Sequence, residues 1–268
     1  MYEYEDYDVL VQFTKMPSID GTKTLDVVDT ILACKWIEII EETARLSSRG
    51  ILIVQNFDLA VKRLMIGDYI KHSSDSWISL IPRGRKECSP YLPPDVLACV
   101  KNAGLLVSPA TDDIVLWWDQ QAQYIRKEQE LATLEVGRIG EKLTLEYERR
   151  RTGKDPVWKS IESNLAGYDV LSIVEKGSTA HLSIEVKTSE QPMKMANAYI
   201  TRHEWKVANE SINHKFYFWQ LDSKQKMLAI LDAIELQPNI PNDEGEGAWQ
   251  TVTIPFFTYA DRFQLYRD

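Results

Sequence analysis

The sequence predicts a mainly helical domain over residues 1–130, followed by an α/β domain over residues 131–268 with a mixed sheet flanked by helices. Three observations carry this prediction. Apolar residues recur at spacings of three and four through the first half. From Val136 onward, helix-like runs alternate with strand-like ones. Between the two, residues 120–134 are polar, charged and helix-prone, which suits a linker and boundary.

Composition supports folded cores. The chain has 268 residues, of which 44% are hydrophobic and 26% charged, and this argues against disorder or a fibrous scaffold. Cys34, Cys88 and Cys99 are too few and too scattered for a disulfide framework, and no paired CxxC suggests zinc, so a reducing cytoplasm is expected. The start, Met1-Tyr-Glu-Tyr-Glu-Asp, is acidic and aromatic where a signal peptide would be basic and then apolar. No apolar run reaches membrane-spanning length, so no membrane partner is expected. The net charge of -9 excludes a protein that coats nucleic acid through bulk positive charge. It does not exclude a nuclease, which needs only a local basic rim and whose carboxylates a divalent cation offsets.

In the first domain, Leu25, Val28, Ile31, Leu32, Trp36, Ile39 and Ile40 place one apolar stripe on a helix over residues 24–46. A second helix is expected over residues 57–66. A third starts at Pro93-Pro94-Asp95 and ends at Asn102-Ala-Gly104. Two short strands follow, at residues 105–107 and 114–118, separated by a turn composition. Helices followed by a β-hairpin have the order of a winged-helix module; the alternative is a helical cap on the second domain. The candidate recognition helix offers only Lys101, and residues 1–130 hold 14 Lys and Arg against 20 Asp and Glu. Protein contact, through a homodimer or a partner subunit, is therefore expected ahead of DNA reading.

In the second domain a helix is expected over residues 140–151. Strands at 168–175 and 181–188 form a hairpin through Gly177-Ser178-Thr179. Thr201-Arg-His-Glu204 is a capping box that opens the next helix, and strands at 215–221 and 227–231 complete the pattern. This order has the α-β-β-β-α-β logic of a restriction-endonuclease-like core, short of one visible strand.

Asp169 lies on the first hairpin strand and Ile184-Glu-Val-Lys187 on the second. Residues two apart on a strand share a face, so Glu185 and Lys187 project together while Ile184 and Val186 bury on the other side. Pairing through the turn brings Asp169 opposite that face. Two carboxylates and an amine at one point are the parts that phosphodiester hydrolysis needs: hard oxygen ligands for Mg²⁺ or Mn²⁺ and a cation to steady developing charge. Glu141, in the preceding helix, adds another carboxylate, and Gly137 and Gly140 would let that helix approach closely. A Glu-Val-Lys on a strand is by itself more often a solvated face; the joint occurrence of these residues in order is the signal.

Four separated runs, Gly137-Arg-Ile-Gly-Glu141, Gly167-Tyr-Asp-Val170, Ile184-Glu-Val-Lys-Thr188 and Ile200-Thr-Arg-His-Glu-Trp205, resemble in order the motifs of the NO VEIN carboxyl-terminal domain family. The resemblance covers roughly residues 130–225. That family is similar to PD-(D/E)xK nucleases and is often found in prokaryotic defence and restriction contexts. The resemblance implies nuclease roles for Glu141, Asp169, Glu185 and Lys187, with Asp169, Glu185 and Glu141 as metal ligands. Thr188 and Ser189 are candidates for touching a phosphate. Arg149, Arg150 and Arg151, with Lys154 and Lys159, form the densest basic patch and are candidates for gripping the nucleic-acid backbone. The expectation is a metal-dependent DNA endonuclease; the alternative is a catalytically silent binding module on the same fold.

Overall fold

The computed structural model describes residues 24–40, 43–162, 166–243 and 247–267. The acidic start of the chain and part of the acidic stretch at residues 242–248 lie outside them. The chain divides into two compact units, residues 1–129 and 130–268.

In the first unit, α1 (Thr24–Ala33) is followed by β1 (Ile37–Ile40) and β2 (Thr43–Leu46), which pair antiparallel. The single helix expected over residues 24–46 is thus corrected to a helix and a hairpin. Lys35 takes φ 55, a left-handed conformation that stops the helix. The run after it is rich in β-branched Ile and Thr, which favour strand over helix. Next come α2 (Ser48–Val54), α3 (Asp58–His72), a 3₁₀ stretch Ser76–Arg83, α4 (Arg85–Cys88) and α5 (Pro94–Asn102). The expected second and third helices are both present, the second extended to His72.

The strands expected at 105–107 and 114–118 are not formed. Leu105 is buried just beyond α5, and residues 114–118 lie in the first turns of α6 (Asp112–Thr152). Asp112 and Asp113, which belong to the expected turn composition, instead sit in that first turn and favour the helix dipole. The hairpin that would make a wing therefore does not follow α5. Trp117 and Trp118 pack edge to face at 5.2 Å in a core with Trp77, Ile81, Cys88 and Leu105, and their indole N–H groups donate to the carbonyls of Arg63 and Leu105. Residues 126–134 of α6, within the expected linker, are helical and exposed.

The second unit is built on a six-stranded mixed sheet. Its strands are β3 (Val157–Trp158), β4 (Val170–Ile173), β5 (His181–Ser189), β7 (His214–Leu221), β8 (Lys226–Asp232) and β10 (Gln264–Tyr266), in the order β10-β8-β7-β5-β4-β3. Only β5 and β7 run parallel. Between them, β6 (Asn197–Thr201) and α7 (Arg202–Glu210) make the crossover, and β6 pairs with β9 (Thr251–Pro255) in a separate two-stranded sheet. The restriction-endonuclease-like order is matched as far as an α/β fold with a mixed sheet and flanking helices.

Alternation splits the sheet into two faces. Ile184, Val186, Tyr217, Trp219 and Leu228 pack with Leu143, Leu145 and Tyr147 of α6. Phe216, Phe218, Ala229 and Leu231 pack with Trp205 and Ala208 of α7 and with Phe256 and Phe263. Apolar area on both faces explains why β7 is buried along almost its whole length.

Candidate active site

The register of β4 and β5 is Val170↔Ile184 through Ile173↔His181, and the Asp169 N–H donates to the Ile184 carbonyl at 3.0 Å. Asp169 lies one residue before β4, and because its N–H turns to Ile184 while its carbonyl accepts from Lys159 on the other side, the regular register stops at Val170. Glu185 pairs with Phe216, and Lys187 with Phe218, across the parallel β5–β7 ladder. Both therefore project to the α7 face, as strand alternation predicted. Gly167 helps place Asp169: its φ is +70, and an added Cβ would stand 2.6 Å from Val207 of α7.

Lys187 is held between two carboxylates, with Nζ at 2.7 Å from Glu185 and 3.0 Å from Glu204. The side chains of Glu185 and Lys187 are 4% and 15% exposed, so the pair is screened little by water. Asp169 points one oxygen at the Val186 N–H, 2.8 Å away. Burial pushes its carboxyl up to about 6; the Val186 bond opposes this, Glu141 adds to it, and Lys187 opposes it. Burial also lifts Glu185 well above the usual carboxylate range, against the pull of Lys187 and with the push of Asp169 and Glu204. Burial resists charging of Lys187, yet Glu185 and Glu204 together raise its pKa. Glu204 falls below its ordinary value: burial works against this, but Lys187, the Thr201 N–H and a hydrogen bond to Glu185 prevail. One buried and two half-buried acids thus lie near one ammonium, two of them bonded to it.

Glu141 is placed differently. It sits on α6, which packs on the other face of the sheet, and one of its oxygens accepts from Arg138 at 2.7 Å, from the Trp158 indole and from the Ser160 hydroxyl. Arg138 lies over the Trp158 ring and also donates to Ser160. The Lys159 and Ser160 N–H groups in turn donate to the Asp169 carbonyl at 2.7 and 3.1 Å. Glu141 therefore touches the segment that carries Asp169 and does not join the Glu185–Lys187 face.

Thr188 turns to the α6 face. Its Oγ1 is buried without a hydrogen-bond partner among the described residues, and a Cβ added at Gly140 would stand 1.8 Å from it. The close approach inferred at Gly140 is present; Gly137 has open space around it. Ser189 is buried and accepts from the Gln191 N–H at 3.2 Å.

The three arginines are engaged elsewhere. Arg149 pairs with Asp155, Arg150 with Glu146, and Arg151 grips buried Glu148 with two nitrogens while donating to the carbonyls of Ile173 and Val174. Ile173 is at the end of β4 opposite to Asp169, so Arg151 does not rim the carboxylates.

One residue of the site, Glu204, and one in its neighbourhood, His214, were not singled out from the sequence. Glu204 was assigned only its capping-box role, although it belongs to one of the four motif runs. His214 is buried, with Nδ1 2.9 Å from the Ser183 hydroxyl, and burial lowers its pKa to about 4. Nothing in its sequence neighbourhood marks it. Among the described residues, no group of three or more His, Cys, Asp or Glu is arranged to hold a metal ion.

Residues 140–223 match the family described as Protein NO VEIN, C-terminal. The match covers 84 of the 268 residues. The matched segment contains Glu141, Asp169, Glu185, Lys187 and Glu204, so every acid around Lys187 lies within it. No curated protein and no solved structure matches the chain. Among the described residues, no helix is long and apolar enough to cross a membrane.

Proposed function

We propose that the second unit is a metal-dependent phosphodiesterase, an endonuclease acting on DNA in a defence or restriction setting. The observation that carries this reading is the Asp169 carboxylate on the Val186 N–H, near Glu185 and the Lys187 ammonium, with the acids largely withdrawn from water. Desolvated, mutually repelling carboxylates suit a hard divalent cation. Two suffice for Mg²⁺, which keeps several of its waters and takes further oxygens from a phosphate. Asp169 and Glu185 would hold Mg²⁺ or Mn²⁺, and Glu141 would fix Asp169 through Trp158 and Ser160 rather than bind the ion itself. Such an ion supplies polarisation of the phosphate and a bound water of lowered pKa. Lys187 is the cation placed to steady charge on the phosphate oxygens.

The test is full-length protein with plasmid DNA and Mn²⁺ or Mg²⁺, beside Lys187→Ala and Glu185→Ala. Metal-dependent nicking that both substitutions abolish, with melting temperature nearly kept in Glu185→Ala, supports the reading. Equal nicking in either variant sinks it.

One observation favours a second reading. Lys187 already binds two carboxylates, and one Glu141 oxygen already accepts from three donors, so the cluster has partners without an ion. On that reading the unit is a catalytically silent nucleic-acid or protein-interaction module. Absence of Mn²⁺ binding by calorimetry selects it.

A further inference from the structure

We propose that Glu204 is a positioning residue that fixes the Lys187 ammonium in the candidate site through the same carboxylate that caps α7. The functional consequence rests on the nuclease reading above; the geometry does not.

The two oxygens of Glu204 have separate work. Oε2 accepts from the Thr201 N–H at 2.7 Å, while Thr201 Oγ1 accepts from the Glu204 N–H at 3.2 Å, which completes the capping box. Oε1 accepts from Lys187 Nζ at 3.0 Å. The second acceptor of that ammonium is Glu185, at 2.7 Å on the lysine's own strand. A lysine ammonium is a point charge on a flexible four-carbon stem, with three donors free to rotate. A single partner leaves it free to swing; two partners on different elements, β5 and α7, fix both its place and the direction of its remaining N–H. The Glu204 side chain is 20% exposed, so little water competes for this bond.

The capping box alone does not require a negative charge, because glutamine serves at that position as well as glutamate. Holding an ammonium does require one. This asymmetry separates the two roles by substitution. Glu204→Gln keeps a side-chain carbonyl for the Thr201 N–H but loses the charged partner of Lys187. Thr201→Ala removes the hydroxyl half of the box and leaves the carboxylate on Lys187.

The experiment compares full-length wild-type protein, Glu204→Gln, Glu204→Ala and Thr201→Ala. Melting temperature is measured for each, together with the rate at which an amine-reactive acylating reagent modifies Lys187, followed by peptide mass spectrometry. The expected result is slow modification in wild type and several-fold faster modification in Glu204→Gln, with little change in melting temperature. Glu204→Ala should melt a few degrees lower and label fast. Thr201→Ala should melt lower yet label at the wild-type rate. Wild-type labelling in Glu204→Gln overturns the proposal, as does Thr201→Ala labelling as fast as Glu204→Gln. Should Glu204→Gln melt as low as Glu204→Ala, the Thr201→Ala rate still decides, since it reports a weakened cap with the ion pair intact. Where wild-type protein cleaves DNA, Glu204→Gln should lower kcat roughly tenfold with KM nearly unchanged, as expected for a misplaced group. If wild type does not cleave, the nuclease reading falls while the labelling results stand.

Discussion

Asp68 in the first unit and Glu185 in the second are both acids with almost no exposed surface, yet their surroundings are opposite in kind. Asp68 receives the Trp36 indole N–H at 2.9 Å and two Arg49 nitrogens at 2.7 and 2.6 Å. One anion meets one cation and three donors, and the account closes. Glu148, within the second unit, is a similar closed case, gripped by Arg151 and the Tyr217 hydroxyl. Around Glu185, three carboxyl groups lie near one ammonium. Buried charge by itself therefore marks structure; buried charge left unbalanced marks a candidate site.

The comparison can be broken most forcefully at Asp68. Asp68→Ala leaves Arg49 and the Trp36 indole without their acceptor, and the expected cost is about 4 kcal/mol of stability, measured by chemical denaturation. A cost under 1 kcal/mol would show that the closed pair is dispensable. Glu185→Gln should behave in the opposite sense at neutral pH without metal, with stability equal to or above wild type, because it removes one of the repelling acids.

Next in size is a pH dependence. Asp169 titrates near 6 in the folded protein, above the ordinary aspartate value, so the folded state holds that proton more tightly than the unfolded chain. Its contribution is fully present below about pH 4 and is lost as pH rises through about 6, a fall worth about 3 kcal/mol at most. Glu185, whose carboxyl is also raised by burial, adds to the decline in the same direction. Asp169→Asn should flatten the part between pH 4 and 6, and an unchanged slope in that variant would remove the basis for it. Mn²⁺ that binds only the folded state should restore stability above pH 6.

A smaller effect is expected at Gly140. Alanine in place of glycine inside a helix ordinarily stabilises by about 1 kcal/mol. Here the new Cβ meets Thr188, so Gly140→Ala should instead destabilise by about 2 kcal/mol, the cost of overpacking. Adding Thr188→Ala should recover most of that loss; no recovery would mean the strain lies elsewhere. The smallest effect belongs to the arginine patch: Arg149 and Asp155 are both largely exposed, so Arg149→Ala should change stability by less than about 0.5 kcal/mol.

Much of the second unit was legible because its signals are local. The capping box at Thr201 and Glu204 formed, and the four strands read at residues 168–231 are present within a few residues of their expected ends. The first unit was less legible. Its stripe through Ile39 and Ile40 fits a helix or a strand, and Lys35 carries no residue-type signal for the left-handed turn it makes. Ile114, Trp117 and Trp118 look like strand residues until the core that receives them is known.

What the sequence determined by itself is which side chains share a face, because strand alternation and the capping pattern are properties of neighbouring residues: Glu185 with Lys187, Ile184 with Val186, Thr201 with Glu204. Which faces meet was decided only by tertiary structure. α6 and α7 pack on opposite sides of the sheet, and that choice sends Glu141 to Trp158 and Ser160, Thr188 to Gly140, and Glu204 to Lys187. Each of these contacts joins residues more than fifteen positions apart. Their pairing is set by how layers of side chains fill space, which no local spacing encodes.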